Sequence, residues 1–328
     1  MDHRNFRRPP IPSSWYRPRV AGFILYLLFS VTWIPLFGWG TLAIWGSSLP
    51  LWLRIVLAAP CVVLAGHGFH MLGWFAHDGV HLSLVKNKHA SMLIGILAAG
   101  AALFPLLGYG ITHWNHHRFT NQESDPDTRL YPQHRTFWSR FFKGRATANR
   151  GYLRNTLRVA AGRPIDEGYR FPFSRGWTRF FAVCTLLGMG LWLGLYVTLA
   201  MARPTVVLAC VAIPLLCAAP TSGLRIYLEH NGTGPGILRD TRSYVSPVWT
   251  VLMFANNYHL EHHLYPMVPA YHLLKVHRLL RDQGIYERSQ AHVVRGFFAP
   301  LKYVTGAFEY PGALLPDLEA DPFAKETV

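Results

Sequence analysis

Histidines recur in this sequence at spacings that suit metal binding. Residues 257–263 read NYHLEHH and residues 113–117 read HWNHH, so both segments contain the pattern His-x-x-His-His. On an α-helix, side chains three and four positions apart share one face, and the three imidazoles would leave each helix together. At ~5% histidine, one such pattern is expected about 0.05 times in a chain of this length, and two with a probability on the order of 0.001. We interpret both segments as metal-binding boxes and not as packing surfaces.

A looser cluster precedes these two boxes, as HDGVH at residues 77–81. Together the three boxes hold eight histidines, and His230 would be a ninth, which is more than one metal ion can use. The number of imidazoles therefore predicts two metal ions. The candidate metal ligands and catalytic residues are His77, His81, His113, His116, His117, His230, His259, His262 and His263.

Three other polar residues lie within or beside the boxes, and we predict a supporting role for them. Asp78 and Glu261 lie inside the first and third boxes, and Asn257 lies just before the third. We expect them to contact the imidazoles from outside the metal site, because outer hydrogen bonds of this kind fix the orientation of the rings. The alternative for Asp78 and Glu261 is an ordinary exposed or helix-N-terminal carboxylate.

The ligand type leaves the metal open, since imidazole suits zinc, iron, copper and nickel. A two-metal site that faces a membrane suggests activation of dioxygen for attack on an apolar substrate, because inert C–H bonds need a strong oxidant. Iron is the metal that we expect for this chemistry. Zinc has no redox chemistry and would suit hydrolysis instead.

The composition is that of an integral membrane protein. Of the 328 residues, 51% are hydrophobic and only 15% are charged, and the net charge of +15 comes mostly from arginines outside the apolar segments. The long apolar segments argue against a nucleic-acid-binding protein. The four cysteines are isolated and lie in apolar segments, so the sequence predicts no iron–sulfur cluster, zinc ribbon or disulfide framework.

Four apolar segments are long enough to cross a bilayer, which takes about 20 residues. They lie at about residues 20–45, 51–75, 180–201 and 206–224. A fifth apolar segment, 92–111, is also long enough, but one crossing there would place the first two boxes on opposite sides of the membrane. We therefore predict that it is re-entrant or interfacial.

With four crossings, both termini and all three boxes lie on one side of the membrane. The arginine-rich segment 118–179 predicts that this side is cytoplasmic. The predicted fold is an all-α integral membrane protein with four transmembrane helices and a cytoplasmic helical cap that carries the two-metal site. We expect a basic cytoplasmic N-terminal tail at 1–19, the membrane domain at 20–310 and an acidic C-terminal tail at 311–328.

The boxes, in this order and around two pairs of predicted spans, resemble the membrane-bound fatty acid desaturase superfamily, whose pattern is HxxxH, HxxHH and HxxHH. The similarity extends from about residue 70 to about residue 280. It includes Thr120-Asn121 and Asp125-Pro126-Asp127 after the second box, and Glu261-His262-His263-Leu264-Tyr265-Pro266, Val268-Pro269 and Tyr271-His272-Leu273 in and after the third, which are similar to bacterial desaturases and carotenoid ketolases.

The resemblance implies a diiron centre held by the eight box histidines, with His230 matching an extra single histidine after the last span. One position departs from the pattern of animal acyl-CoA desaturases, which carry Asn four residues before that histidine. Ile226 stands there in this chain. The sequence is thus more similar to the acyl-lipid desaturase and ketolase branches.

The implied function is that of an oxidoreductase of lipid and fatty acid metabolism, an O2-dependent fatty acyl desaturase. The same diiron site could serve a carotenoid ketolase, a lipid hydroxylase or an olefin-forming decarboxylase. A zinc-dependent membrane hydrolase or receptor-like protein is the alternative from another class. A metal transporter would need ligands within the spans, where only His67 and His70 lie.

The electrons for dioxygen reduction are expected from a separate protein. The sequence contains no His-Pro-Gly-Gly haem loop, cysteine cluster or flavin fingerprint. A ferredoxin or small cytochrome would be attracted to the arginine-rich surface, although the usual positive charge of cytoplasmic loops explains that surface equally. The excess of arginine over lysine suggests a bacterium, and the predicted location is its inner membrane.

Overall fold

Long apolar helices dominate the chain. The computed structural model describes residues 8–307. Its helices are α1 Val20–Trp45, α2 Leu51–Val80, α3 Lys88–Ala101, α4 Leu106–Phe119, α5 Asp127–Leu130, α6 Phe137–Ser139, α7 Arg145–Ala160, α8 Arg175–Ala202, α9 Pro204–Val207, α10 Ile213–His230, α11 Pro247–Leu252, α12 His259–Leu264, α13 Ala270–Asp282, α14 Ile285–Ser289 and α15 Lys302–Thr305. Short π-helical turns lie at Arg140–Gly144 and Leu208–Ala212, and 3-10 turns lie at Ser13–Tyr16 and Ala299–Leu301. The first residues of the predicted N-terminal tail and the acidic tail at 311–328 lie outside the described residues.

Within residues 8–307, four helices are long and apolar enough to cross a membrane. They are α1, α2, α8 and the continuous helix Pro204–His230, which joins α9, the π turn and α10. Large apolar side chains such as Leu36 of α1 and Leu191 of α8 are exposed, as expected for helices that face lipid. The second and fourth helices are longer than predicted, because they remain helical through the polar residues at their ends. His77 is therefore part of α2 and His81 is its C-cap residue, and His230 is the last residue of α10.

The apolar segment 92–111 is not one straight helix. It is divided between α3 and α4, which meet at an angle of 119°. The break contains Leu103, whose φ is 49°, and Pro105, which precedes the first residue of α4. This bend returns the chain toward the end of α2, so that the second box comes close to the first.

A small sheet is the one departure from the predicted all-α fold within the described part of the chain. Strands β1 Arg242–Val245 and β2 His292–Arg295 pair in parallel, with Arg242 opposite His292. Each strand has four residues, too few for a periodic pattern in the sequence. The sheet is functionally relevant because β1 lies against the third box: Ser243 Oγ accepts a hydrogen bond from the Leu260 backbone N–H at 3.0 Å.

Helices α4 and α7 approach so closely that one position requires glycine. A Cβ atom at Gly108 would lie 1.9 Å from the backbone oxygen of Tyr152. The Gly108 N–H also donates a hydrogen bond of 3.0 Å to Thr156 Oγ1. This contact fixes the position of α4 against α7, and the second box lies on α4.

We expect Gly108→Ala to destabilise the protein by about 1–3 kcal/mol, because an overpacked contact forces the backbone to shift. Gly151→Ala on α7 is the matched control, since a Cβ atom at Gly151 would meet nothing within 4 Å. Thermal unfolding of both variants in detergent measures the difference. Equal midpoints for the two variants would show that the α4–α7 contact is not tight.

Candidate metal centre

The nine histidines singled out by spacing lie together as two adjacent groups, and all nine are buried. Within each set of candidate ligands named below, the ligand atoms lie within 4.8 Å of one another. The first group consists of His77, His81, His113, His117 and His262. The second group is formed by two overlapping sets, His116 with His230 and His263, and Glu229 with His230 and His259.

Helix geometry explains how each box divides between the groups. In α4, His113 and His117 are four residues apart and face the first group, whereas His116 faces the second. In α12 the division is reversed: His262 faces the first group, and His259 and His263 face the second. The first box contributes both of its histidines to the first group. Boxes two and three therefore each supply ligands to both candidate sites.

Distances between ring nitrogens within the groups fit metal coordination. His117 Nε2 lies 3.0 Å from His113 Nε2 and 3.1 Å from His262 Nε2, and His230 Nε2 lies 3.2 Å from His259 Nε2. Two metal–nitrogen bonds of roughly 2.1 Å at a right angle place their nitrogens roughly 3 Å apart. Four further buried nitrogens have no hydrogen-bond partner within residues 8–307, as expected of ligand atoms: Nε2 of His77, His81, His116 and His263. The residues thus fit two metal ions.

The protonation states also suit metal binding. Burial, and then the charge of His116, lower the pKa of His81 to about 3. Burial and neighbouring imidazoles likewise hold the pKa values of His262 and His263 well below their usual value. These rings are therefore neutral at pH 7, and the neutral imidazole is the form that binds metal.

His116 differs because two carboxylates face its other ring nitrogen. His116 Nδ1 lies 3.0 Å from Asp125 Oδ1 and 3.4 Å from Asp127 Oδ2. Burial opposes the charged form of His116, but the two carboxylates outweigh it and raise the pKa to about 9. Asp125 is itself held by backbone N–H groups, of Asn121 at 2.8 Å and of Asp127 at 2.9 Å. It fixes the His116 ring with Nε2 directed toward the second group.

Sequence reasoning assigned no site role to Asp125, although the segment Asp125-Pro126-Asp127 was part of the noted resemblance. The sequence feature that could have identified Asp125 is a short acidic segment that closely follows a histidine box. Glu229 was missed as well. It precedes His230 directly, and its Oε2 lies 3.4 Å from His259 Nε2.

The three predicted supporting residues have different surroundings. Asp78 Oδ1 lies 3.2 Å from His77 Nδ1, and Asp78 Oδ2 accepts a hydrogen bond of 3.1 Å from the Ala270 backbone N–H. Within residues 8–307, the hydrogen bonds recorded for Glu261 and Asn257 are to groups other than the box imidazoles, and a role of these two residues in orienting the rings stays a prediction. The Asn257 amide donates to the Tyr244 carbonyl at 2.9 Å. The partners of the Glu261 carboxylate are Ser243, His277 and Tyr286.

These contacts of Glu261 hold α12 in place from behind. Burial opposes its ionisation, but the hydrogen bond and charge of His277, with Ser243 and Tyr286, lower the pKa of Glu261. The carboxylate therefore remains ionised between β1 and α13. Glu261 thus anchors α12, a helix of only six residues, to the elements around it.

In the part of the chain that the structure describes, two histidines of α2 outside the boxes have hydrogen-bond partners of their own. His67 Nε2 lies 2.8 Å from the Leu252 carbonyl oxygen, and His70 Nε2 accepts a hydrogen bond of 3.0 Å from Trp74 Nε1. His277 binds Glu261. His272 is buried against Tyr271 and belongs to neither metal group.

A cavity reaches both groups of histidines. His77 and His113 of the first group line it, as do His116, His230 and His259 of the second. Its remaining walls include aromatic side chains, two arginines and two carboxylates, among them Trp74, Phe104, Tyr109, Tyr152, Arg145, Arg225, Asp127 and Glu229. A substrate in this cavity would lie beside both candidate metal sites.

Comparison with known proteins gives consistent matches. A family model described as fatty acid desaturase matches residues 50–295. A Delta 8-(E)-sphingolipid desaturase from Emericella nidulans is 26% identical over 295 residues, covering 71% of this chain and 51% of that protein. Dihydrorhizobitoxine desaturase from Bradyrhizobium elkanii is 27% identical over 251 residues, with 68% of each chain covered. An acyl-lipid 8-desaturase from Rebecca salina is 34% identical over 76 residues, 21% of this chain and 18% of that protein. The chain thus spans about half the length of the first of these relatives.

Proposed function

This chain belongs to the fatty acid desaturase family, and from that premise we propose that it is a membrane oxidoreductase that desaturates fatty acyl chains with dioxygen and external electrons. The observation that carries the proposal is the convergence of nine buried histidines from three boxes and α10 on two adjacent metal-binding groups beside one cavity. Two of the relatives are named for sphingolipid and acyl-lipid desaturation, which supports a lipid acyl substrate.

We propose iron as the metal in both groups, with His77, His81, His113, His117 and His262 around one ion and His116, His230, His259 and His263 around the other. When bound, a diiron centre supplies the oxidising power, drawn from dioxygen and two electrons, that removal of hydrogen from an unactivated C–H bond requires. The neutral imidazoles bind these ions without a proton to displace, whereas His116, whose pKa is raised, would release the proton on Nε2 when the metal binds. Asp125 orients His116, and Asp78 orients His77.

The cavity walls provide the means to bind and position an acyl chain. Trp74, Phe104 and Tyr109 present aromatic faces to the cavity, which would bury hydrocarbon. Tyr109 stacks on His113 with ring centroids 4.8 Å apart, so the apolar wall is continuous with the first metal group. The position of the chain relative to the two groups then selects the carbon atoms that react.

The test is mass spectrometry of lipids from a bacterial host that expresses the protein together with a ferredoxin system. Products that lack two hydrogens relative to the host lipids would establish desaturation, and the position of the double bond would define the regiochemistry. Products that gain oxygen, or that lose the carboxyl carbon, would overturn desaturation and indicate a hydroxylase or an olefin-forming decarboxylase. Zinc without iron in the purified protein would contradict the diiron assignment.

We further propose that the four apolar helices insert in the inner membrane of a bacterium with both termini and the metal centre in the cytoplasm. The charge around α7 supports this orientation, because Lys143, Arg150 and Arg154 are exposed on the part of the chain that packs against the second box. The same surface would receive an acidic electron donor, a ferredoxin or small cytochrome.

The double variant Arg150→Glu/Arg154→Glu tests the donor surface. We expect the KM for an acidic ferredoxin to rise roughly tenfold and its salt dependence to weaken, because attraction between exposed charges accelerates encounter and is screened by salt. Arg203→Glu, in the connection between α8 and α9, is the control and should leave the KM unchanged. An unchanged KM in the double variant would show that the donor binds elsewhere.

A further inference from the structure

A buried arginine–glutamate pair lies at the C-terminal end of α10, next to the second group of histidines. Arg225 and Glu229 are four residues apart on this helix, are both at least 97% buried, and the arginine Nε donates to Glu229 Oε1. Charged residues within a membrane-spanning helix are costly and are usually retained for function. We propose that Glu229 is a ligand of the second metal ion, supplying a carboxylate oxygen beside His230 and His259. This inference rests on the proposed diiron function.

The two oxygens of the Glu229 carboxylate face in different directions. Oε1 is bound by Arg225, whereas Oε2 lies 3.4 Å from His259 Nε2. The candidate ligand atoms of Glu229, His230 and His259 all lie within 4.8 Å of one another. Arg225 thus holds Oε1, and the Tyr244 hydroxyl also hydrogen-bonds this carboxylate. Oε2 is the oxygen that would reach a metal ion shared with the two imidazoles.

The number of ligands indicates the same role. The first group offers five imidazoles, but the second offers only four: His116, His230, His259 and His263. Ile226 lines the cavity one helical turn before His230, and its side chain has no donor atom for a metal. Asp125 and Asp127 also form a set with His116, but both lie at its Nδ1, the nitrogen opposite the one that faces the second group. Glu229 shares a set with His230 and His259, and it would bring the number of donors to five.

Arg225 fixes this carboxylate in position. Its guanidinium lies flat over Trp74, 3.3 Å from the ring centroid, and its Nη2 donates to the Asn256 carbonyl oxygen at 2.5 Å. Because three groups hold the guanidinium, the Glu229 oxygen bound to it has little freedom to rotate. Arg225 is therefore a positioning residue, and it acts on the metal through Glu229.

A carboxylate on one ion alone makes the two metal sites chemically different. The first site would have nitrogen donors only, and the second would have nitrogen donors and one anionic oxygen. Imidazole nitrogens combined with a carboxylate oxygen form a donor set that suits iron, although some catalytic zinc sites combine them too. The inequivalence gives a spectroscopic signal that does not depend on activity.

The experiment compares wild type, Glu229→Gln and Asp166→Asn in detergent, each loaded anaerobically with 57Fe(II). Metal analysis and Mössbauer spectroscopy should find two irons with two distinct signals in wild type. In Glu229→Gln we expect one iron and only the signal of the five-histidine site. Asp166→Asn removes an exposed carboxylate whose partner is Arg158 and not a histidine, and should retain both irons.

Two irons with unchanged signals in Glu229→Gln would overturn the assignment of Glu229 while leaving the diiron function intact. Loss of the same iron in Asp166→Asn would also overturn it, since the effect would then not be specific to Glu229. Wild type that binds no iron would instead refute the proposed function itself. If Glu229→Gln does not fold, Glu229→Asp keeps the charge on a shorter side chain; it should change the second signal alone, and an unchanged spectrum would overturn the proposal.

Discussion

Replacing His262 by alanine should abolish turnover and remove iron from the five-histidine group. The His262 ring lies at the centre of this group, with its centroid 4.5 Å from that of His77 and 4.6 Å from that of His81, and with Nε2 3.1 Å from His117 Nε2. Loss of an outer contact to a metal ligand typically reduces metal affinity roughly 10–100-fold, and loss of the ligand itself should cost more. Lipid products from an expressing host measure turnover, and metal analysis of the purified protein measures iron.

His272→Ala is the matched control for this substitution. His272 is as buried as His262 and lies nine residues after the third box. It belongs to neither metal group. We expect this variant to retain both irons and full turnover. Desaturation by His262→Ala at the wild-type rate would contradict the assignment of the boxes as metal ligands.

Sequence reasoning was most informative where side chains that bind metals recur at helical spacing. Histidines three and four residues apart predicted ligand clusters, and the structure brings all nine together. The requirement that the boxes share one side of the membrane predicted that segment 92–111 could not be one straight crossing. In the structure this segment is bent, because α3 and α4 meet at an angle of 119°.

The division of the histidines between two ions could not be predicted, because it depends on the rotation of one helix relative to another. Box two directs its first and last histidines to the first group, whereas box three directs its middle histidine there. The two boxes share one pattern in the sequence and have opposite orientations in the fold. That difference comes from the entry of α12 from a loop beside β1, a contact formed by residues distant along the chain.

The supporting carboxylates were the least predictable part of the site. Proximity to a box in the sequence suggested Glu261, but its side chain points away from the metal groups toward His277 and Tyr286. Asp125 lies outside any box, yet it reaches His116 because the loop after α4 turns back at Asn121, whose φ is 58°. A left-handed residue of this kind sets the direction of a loop, and the helical pattern does not encode it.

Replacing Asp125 should therefore weaken the second metal site selectively. In Asp125→Ala, His116 loses the acceptor that lies 3.0 Å from its Nδ1, and its ring is free to rotate away from the second group. We expect the affinity of the second iron to fall roughly 10–100-fold and that of the first to change little. Asp125→Asn keeps an oxygen acceptor but removes the charge, and its effect should be smaller.

Titration of each variant with Fe(II), followed by Mössbauer spectroscopy, resolves the two sites. Asp166→Asn is the control, because Asp166 is an exposed carboxylate whose partner is Arg158 and not a histidine. Equal loss of both irons in Asp125→Ala would mean that Asp125 stabilises the cap as a whole and has no particular effect on His116. Selective loss would instead show that a loop residue outside the boxes controls one ion of the pair, since Asp125 contacts a ligand of the second group alone.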